Sequence, residues 1–240
     1  MESSGGYYAE NLHLFRGSIS MMSDCLGRCL EDLMSRDEIR KLKEEAWEAF
    51  VELLPEIPYI GGEENPLTRN LLGSAYEMGY YALMEKRGFS LGVASTVGRK
   101  ALGEFTRLLI ARFGLGAMRN SVMNTGEILP RGSRRKEDFQ GNWVMERVEP
   151  SPGDGFEAGV DCTSCPVADL FTKFGRGGYL PYICADDYTV FREMGIALQR
   201  TQTIGNGAPR CDFRLRLEDP SRIPGVGDVE DLPEYRNGRR

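Results

Sequence analysis

The spacing of apolar residues changes once along this chain, and the change decides the fold class. Over the first 116 residues, apolar side chains recur every three or four positions, which is the period of a helix with one buried face. Residues 210–217 instead alternate, with Cys211, Phe213 and Leu215 on one face of an extended strand. The sequence therefore predicts an α+β protein, with a helical half at 7–116 followed by a small antiparallel sheet at 140–217.

Start and stop signals divide the helical half into four predicted helices. Residues 35–38 have the pattern of a capping box, in which a serine and a glutamate bond each other's backbone N–H groups. Proline and glycine mark the ends of the helices. The predicted bounds are 8–34, 35–55, 65–88 and 90–114.

The second half carries strand and helix signals in an order that inserts two helices between two pairs of strands. The strand-like segments are 142–149 and 156–161, then 196–204 and 210–217. Helical spacing occupies 166–174 and 181–194 between them. We therefore interpret 1–217 as one domain. Residues 218–240, with their prolines, glycines and charges, are predicted to be a flexible tail.

Charge and composition exclude several classes of protein. The net charge of −6 argues against binding to nucleic acid or a membrane surface, and the basic run at 131–136 is interpreted as a solvated loop. No run of about 18 apolar residues and no secretory leader is present, which favours a cytoplasmic protein with reduced cysteines. The single histidine, His13, excludes three-histidine metal sites and most catalytic arrangements built on histidine.

The predicted helix at 181–194 places a thiol and a carboxylate together. Helical spacing puts Cys184 and Asp187 on its apolar face and leaves Asp186 and Arg192 at the surface. An unpaired buried carboxylate costs several kcal/mol, so Asp187 should be paired, hold a ligand or have a raised pKa. A helix rotated slightly, with Asp187 at a wet edge, is the alternative.

The segment 161–166 ends a strand and begins a helix. Cys165 then lies at the helix N-terminus, where free N–H groups and the helix dipole favour a thiolate. Cys162 and Cys165 also form a Cys-x-x-Cys pair. A metal site would need Cys184 and Cys211 as further ligands, which only the folded chain can bring together.

The last predicted hairpin carries polar residues on one face. Arg200 and Arg214 are candidates for binding a substrate carboxylate bidentately, with Thr201, Thr203 and Asp212 beside them. A solvent-facing sheet with arginine–aspartate pairs would show the same pattern. Cys211 falls on the opposite face and is equally consistent with a core thiol.

These residues together resemble the L-2-amino-thiazoline-4-carboxylate hydrolase family. The resemblance rests on the cysteine before a short helix, the Cys-x-x-Asp helix, the Arg-Thr-x-Thr segment and the closing Cys-Asp-Phe-Arg at 211–214. Leu215 departs from the aromatic residue that usually follows. With a looser similarity over 67–113, the resemblance covers about two thirds of the chain. It implies a hydrolase that adds water at C2 of a thiazoline and breaks the C–S bond, giving an N-carbamoyl cysteine.

The resemblance suggests roles for the candidate residues. Cys184 or Cys165 would be the nucleophile, and Asp187 would be the general base or orient water. Thr201, Thr203 and Asp212 would contact the reacting groups, and Arg200 or Arg214 the substrate carboxylate. No cofactor is favoured. A zinc variant remains open, with the ligands Cys165, Cys184, Asp187 and Cys211.

A second class of function is a ligand-binding domain without turnover. The arrangement is distantly similar to small-molecule-binding domains of the 4-vinyl-reductase type, some of which hold structural zinc. Either class implies a small-molecule partner, neither nucleic acid nor a membrane, and leaves a homo-oligomer open.

Overall fold

Both halves predicted from the sequence are present in the computed structural model, which describes residues 6–124, 139 and 141–238. The described residues form helices and one four-stranded antiparallel sheet, which confirms the α+β class. The basic run at 131–136 lies outside the described residues. The helices are α1 (Tyr7–Glu10), α2 (Leu12–Cys29), α3 (Arg36–Leu53), α4 (Thr68–Lys86), α5 (Leu91–Phe113), α6 (Leu115–Met123), α7 (Pro166–Lys173), α8 (Leu180–Glu193) and α9 (Pro233–Gly238). The strands are β1 (Val144–Val148), β2 (Ala158–Ser164), β3 (Ile196–Gln199) and β4 (Cys211–Leu217).

Local signals set most of the helix ends. The predicted capping box is formed, because the Glu38 carboxylate accepts the Ser35 N–H at 2.8 Å and Ser35 Oγ accepts the Glu38 N–H at 3.4 Å. Ser90 Oγ caps α5 by accepting the Val93 N–H at 3.3 Å, and Gly114 ends that helix with a φ of 86°. The predicted first helix is instead divided into α1 and α2 at Asn11.

The predicted cap of α4 has a different role. Asn65 lies in the loop before the helix, where its side-chain amide donates to the Ile60 carbonyl at 2.6 Å and its side-chain oxygen accepts the Leu67 N–H at 2.9 Å. The helix begins at Thr68, later than predicted. Asn65 therefore satisfies buried backbone groups of the loop, the Ile60 carbonyl and the Leu67 N–H, instead of capping the helix.

The helical half packs around buried aromatic side chains, and α5 joins it to the rest of the chain. Tyr8, Phe50 and Tyr80 are fully enclosed within this core. One part of α5 packs against α2 and α4, and it also contacts α8. Because α8 packs against α5 and also against β3, it is covered on more than one side. No helix within the described ranges has the length and apolar character needed to cross a bilayer.

The sheet has the strand order β1-β2-β4-β3, and every neighbouring pair is antiparallel. As predicted, two helices, α7 and α8, lie in the chain between the strand pairs. In the β2–β4 register, Cys162 is opposite Cys211 and Asp161 is opposite Asp212. Strand β3 ends at Gln199, so residues 200–203 form a loop leading into a short 3₁₀ turn, Ile204–Asn206, rather than the predicted strand.

The segment that the sequence suggested to be a loose tail packs onto the sheet half. Ile223, Val229 and Glu234 are buried there. The segment contains two 3₁₀ turns, Pro220–Arg222 and Val229–Asp231, before α9. The apolar residues Ile223 and Val229 therefore pack against the domain. Composition alone does not predict this packing.

Candidate functional site

Arg200 is the centre of a buried ionic cluster that joins the β3–β4 loop, α8 and α9. Its side chain is only 1% exposed. Nη1 donates to Asp187 Oδ2 at 2.7 Å, and Nε and Nη2 donate to Glu234 Oε1 at 3.1 and 2.9 Å. Nη2 also donates to the Cys184 carbonyl at 2.6 Å. A guanidinium buried this deeply is stable because its charge is paired and its donors are used.

Two aromatic rings cover the guanidinium of Arg200. Its Cζ lies 5.3 Å from the ring centre of Tyr188 and 5.0 Å from that of Phe213. The Tyr188 hydroxyl donates to Glu234 Oε2 at 3.0 Å. We call Arg200, Asp187, Glu234, Tyr188 and Phe213 the arginine cluster.

Asp187 lies at the open edge of this cluster. Its side chain is 41% exposed, so the prediction that it lies on the buried face of α8 is wrong, although its pairing is confirmed. Packed protein atoms raise the pKa of Asp187, and the Arg200 guanidinium opposes that effect. The short ion pair and the solvent contact both favour the carboxylate.

Asp186 is buried, which contradicts its predicted place at the surface. It faces Glu77 and Tyr81 of α4 rather than solvent. Burial raises the pKa of Asp186 well above its usual value and that of Glu77 to about 7, while Arg99 of α5 opposes both shifts. Sequence periodicity assumes one buried face, and α8 has two because α5 covers it as well.

Four cysteines gather beside the arginine cluster, and we call Cys162, Cys165, Cys184 and Cys211 the thiol cluster. Cys162 and Cys211 face each other on β2 and β4 and share a hydrogen bond. The Ile204 N–H donates to Cys211 Sγ at 3.2 Å. Cys165 and Cys184 are close enough to Cys211 for its charge to raise their pKa. The sequence predicted three of these thiols together and gave Cys162 no role beyond its Cys-x-x-Cys pair.

The thiols differ in how readily they ionise. Burial raises the pKa of Cys165 to about 11 despite the backbone N–H groups of α7, which is opposite to the direction predicted from its position at a helix N-terminus. Burial also raises the pKa of Cys184 well above its usual value. The pKa of Cys211 is lowered, first by its interaction with the Cys162 thiol, then by Ile204 N–H and Arg200.

The other predicted substrate-binding residues bond to the protein itself. The Asp212 carboxylate accepts the Thr201 N–H at 2.9 Å and the Thr201 hydroxyl at 2.5 Å. Thr203 is buried, and its hydroxyl oxygen accepts the Asn206 N–H at 3.2 Å, which caps the 3₁₀ turn. These contacts hold the loop that carries Arg200 in place.

Arg214 lies away from the arginine cluster. Its Nη1 is 2.9 Å from Asp161 Oδ1, and Arg210 pairs with the same aspartate at 3.3 Å. Strand alternation puts Arg214 on the opposite face from its neighbour Phe213, which covers Arg200. This is the arginine–aspartate pairing that the sequence left as an alternative.

The family model of L-2-amino-thiazoline-4-carboxylic acid hydrolase matches residues 80–215, which is more than half of the chain. The chain belongs to this family. No curated protein and no solved structure matches it. The matched region contains the whole thiol cluster together with Asp187, Tyr188, Arg200 and Phe213, whereas Glu234 lies beyond its end.

The geometry of this family member also bears on metal binding. Among the residues that the structure describes, no three or more histidine, cysteine, aspartate or glutamate side chains are arranged to hold a metal ion. A zinc site formed by Cys165, Cys184, Asp187 and Cys211 stays a prediction.

A cleft of about 380 Å³ adjoins the arginine cluster in this hydrolase-family chain. It lies between the edge strand β3 and the segment 222–232, and Tyr188 belongs both to its lining and to the arginine cluster. Its polar lining includes Gln199, Arg216, Glu218, Arg222 and Asp228. The cleft is large enough for a small polar molecule beside the arginine cluster.

Proposed function

We propose that this protein is a hydrolase that opens the ring of a small cyclic amidine carrying a carboxylate, such as a thiazoline carboxylate. Membership of the hydrolase family supports the reaction class. The observation that carries the proposal is the setting of Cys211, whose Sγ accepts the Ile204 N–H at 3.2 Å. Cys162, this N–H group and the positive charge of Arg200 lower the pKa of Cys211, which favours its thiolate. This moves the role of nucleophile from Cys184 or Cys165 to Cys211.

The reaction follows from a thiolate next to a carboxylate. Cys211 Sγ attacks C2 of the thiazoline, and a new C–S bond forms as the ring C–S bond breaks. The ring sulfur leaves as a thiolate, which solvent protonates. A water molecule then adds to the isothiourea carbon and displaces Cys211, so one water is consumed and an N-carbamoyl cysteine is released.

Asp187 is the residue we assign to the polar half of the substrate. Its partly exposed carboxylate acts on both Cys184 and Cys211, so it lies close to the thiols. A cationic amidine would pair with it, and the same oxygen atoms would orient the incoming water. Cys165 and Cys184, whose pKa values are raised, stay protonated and line the site as neutral thiols.

The test is release of a free thiol from L-2-amino-thiazoline-4-carboxylate, compared between wild type and two serine variants. We expect Cys211→Ser to lose at least a hundredfold in kcat. Cys29→Ser is the matched control, because Cys29 lies on α2, where its thiol contacts Glu104 at 3.6 Å outside the thiol cluster. It should keep wild-type activity.

Two results contradict the proposal. If the wild type releases no thiol from this or related cyclic amidines, the hydrolase assignment fails. Saturable binding without thiol release favours the alternative, a ligand-binding domain without turnover. Full activity in Cys211→Ser leaves a hydrolase without the covalent step, with water attacking C2 directly.

A further inference from the structure

Of the two carboxylates that pair with Arg200 in the described residues, Glu234 is the more deeply buried. The side chains of Glu234 and Arg200 are 2% and 1% exposed, and they meet at 2.9 Å. Asp187, the other carboxylate on Arg200, keeps 41% of its side chain exposed. The carboxylate that fills the inner position therefore comes from the C-terminal segment.

The surroundings of Glu234 have the features of a built carboxylate receptor. One oxygen, Oε1, accepts from Nε and Nη2 of Arg200, and the other, Oε2, accepts from the Tyr188 hydroxyl. The rings of Tyr188 and Phe213 cover the guanidinium and keep it from water. Charge-assisted bonds to both oxygens in a dry site are how proteins recognise a carboxylate with specificity.

The receptor and its occupant belong to different parts of the chain. Arg200, Tyr188 and Phe213 lie inside the region that matches the hydrolase family, residues 80–215. Glu234 lies outside that region, on a helix of six residues. The region that matches the family thus contributes the carboxylate site, and a segment outside that region fills it in this chain.

The segment that carries Glu234 is held at Ile223 by a hydrogen bond from Arg192 Nε to its carbonyl at 3.0 Å, and further polar contacts lie at the surface. Asn237 donates to the Thr201 carbonyl at 2.7 Å, and the Tyr182 hydroxyl donates to Glu230 at 2.9 Å. Both contacts are exposed. The cleft of about 380 Å³ already separates 222–232 from the edge of β3. Release of α9 would therefore leave the helical core and the sheet intact.

We propose that Glu234 occupies the position of the substrate carboxylate, so that the C-terminal segment is an internal competitor that must leave before substrate binds. The inference rests on the proposed function for the identity of the substrate. An incoming carboxylate replaces that of Glu234 on Arg200 and Tyr188, and no charge is left unpaired in the site. The apparent affinity is reduced by the fraction of molecules in which Glu234 is bound.

The test measures binding by calorimetry in the Cys211→Ser background, so that L-2-amino-thiazoline-4-carboxylate is not consumed during the titration. The second ligand is 2-amino-2-thiazoline, which lacks the carboxylate. Glu234→Gln removes the competing charge and keeps the size of the side chain. We expect it to tighten binding of the carboxylate ligand at least tenfold and to leave binding of the other ligand unchanged. Glu230→Gln, on the same segment but bonded to Tyr182, is the control and should change neither.

A second measurement keeps the inference testable if Glu234→Gln folds poorly. In Cys211→Ser protein with Glu234 intact, saturating carboxylate ligand should increase amide hydrogen exchange at 229–238, because α9 is released. Unchanged exchange, equal or weaker carboxylate binding in Glu234→Gln, or no carboxylate binding in either protein overturns the inference. Carboxylate-selective binding without thiol release would overturn the proposed hydrolase and leave this inference standing.

Discussion

Glu77 on α4 and Asp186 on α8 bring two carboxyl groups against each other inside the protein. Glu77 Oε1, Asp186 Oδ1 and the nearby hydroxyl of Tyr81 find no hydrogen-bond partner within the described part of the chain. Two adjacent carboxylates in a dry interior cannot both ionise easily, so the pair keeps a proton to higher pH than an exposed carboxyl group does. Burial accordingly raises the pKa of Glu77 to about 7, against an ordinary value of 4.5.

This pair predicts that stability falls as the pH rises towards neutrality. The native pKa is above the unfolded one, so the native state binds the proton more tightly. The contribution is complete below about pH 4.5 and is lost as the pH passes through about 7. We expect urea unfolding to show a loss of about 3 kcal/mol over this range, from a pKa difference at about 1.4 kcal/mol per unit.

Glu77→Gln combined with Asp186→Asn should remove most of this pH dependence, because neither amide carries a titrating proton. Glu48→Gln changes an exposed carboxyl group on α3 and is the matched control, which should leave the slope as it is in wild type. An unaltered slope in the double variant would mean that the pair does not hold the proton.

Arg200 should contribute far more to stability than a neighbouring arginine at the surface. Arg200→Ala would leave Glu234 and Asp187 without their cation, at a cost of about 3–5 kcal/mol in unfolding free energy. Arg210→Ala breaks a half-exposed pair with Asp161 and should cost less than about 1 kcal/mol. Similar losses in the two variants, measured by urea unfolding, would contradict the burial of the Arg200 pair.

Gly205 is predicted to be required for the position of Cys184. A Cβ atom added at Gly205 would lie 2.8 Å from Cys184 Sγ and 3.1 Å from Leu180 Cβ, so one of them must move. Gly205→Ala should therefore cost about 1–3 kcal/mol and lower kcat. Gly177→Ala, where nothing lies within 4 Å of the added atom, serves as control and should keep the wild-type kcat. Equal activity in the two variants would show that the thiol cluster tolerates displacement.

The order of thiol reactivity should follow the pKa directions. Because the pKa of Cys211 is lowered and those of Cys165 and Cys184 are raised, iodoacetamide should modify Cys211 at the lowest pH. Peptide mass mapping after timed alkylation between pH 6 and pH 10 gives the order. Earlier modification of Cys165 or Cys184 would return the role of nucleophile to that residue.

Sequence signals predicted what depends on neighbours in the chain. The capping box at Ser35, the serine cap at Ser90 and the glycine end at Gly114 each act within one helical turn, and all three are present. The two helices between the strand pairs follow from periods of hydrophobic spacing, which are also local.

Helix caps and hydrophobic spacing do not predict contacts between segments that are distant in the chain. The burial of Asp186 and Asp187 was predicted the wrong way round because α5 covers a second face of α8. Hydrophobic spacing that indicates one buried face does not show a second one. Glu234 was assigned to a loose tail because composition does not show that a single carboxylate pairs with Arg200. Residues 200–203 form a loop rather than the predicted strand because the Asp212 side chain accepts hydrogen bonds from the backbone N–H groups of Thr201 and Gln202.

Cys211 is the residue that we propose bonds to the substrate. Wild-type protein mixed with L-2-amino-thiazoline-4-carboxylate, quenched within one turnover and digested for peptide mass mapping, tests this directly. We predict a peptide containing Cys211 that has gained the mass of one substrate molecule, since ring opening on the thiol loses no atoms. Turnover with no adduct, or an adduct on Cys184 or Cys165, would contradict it.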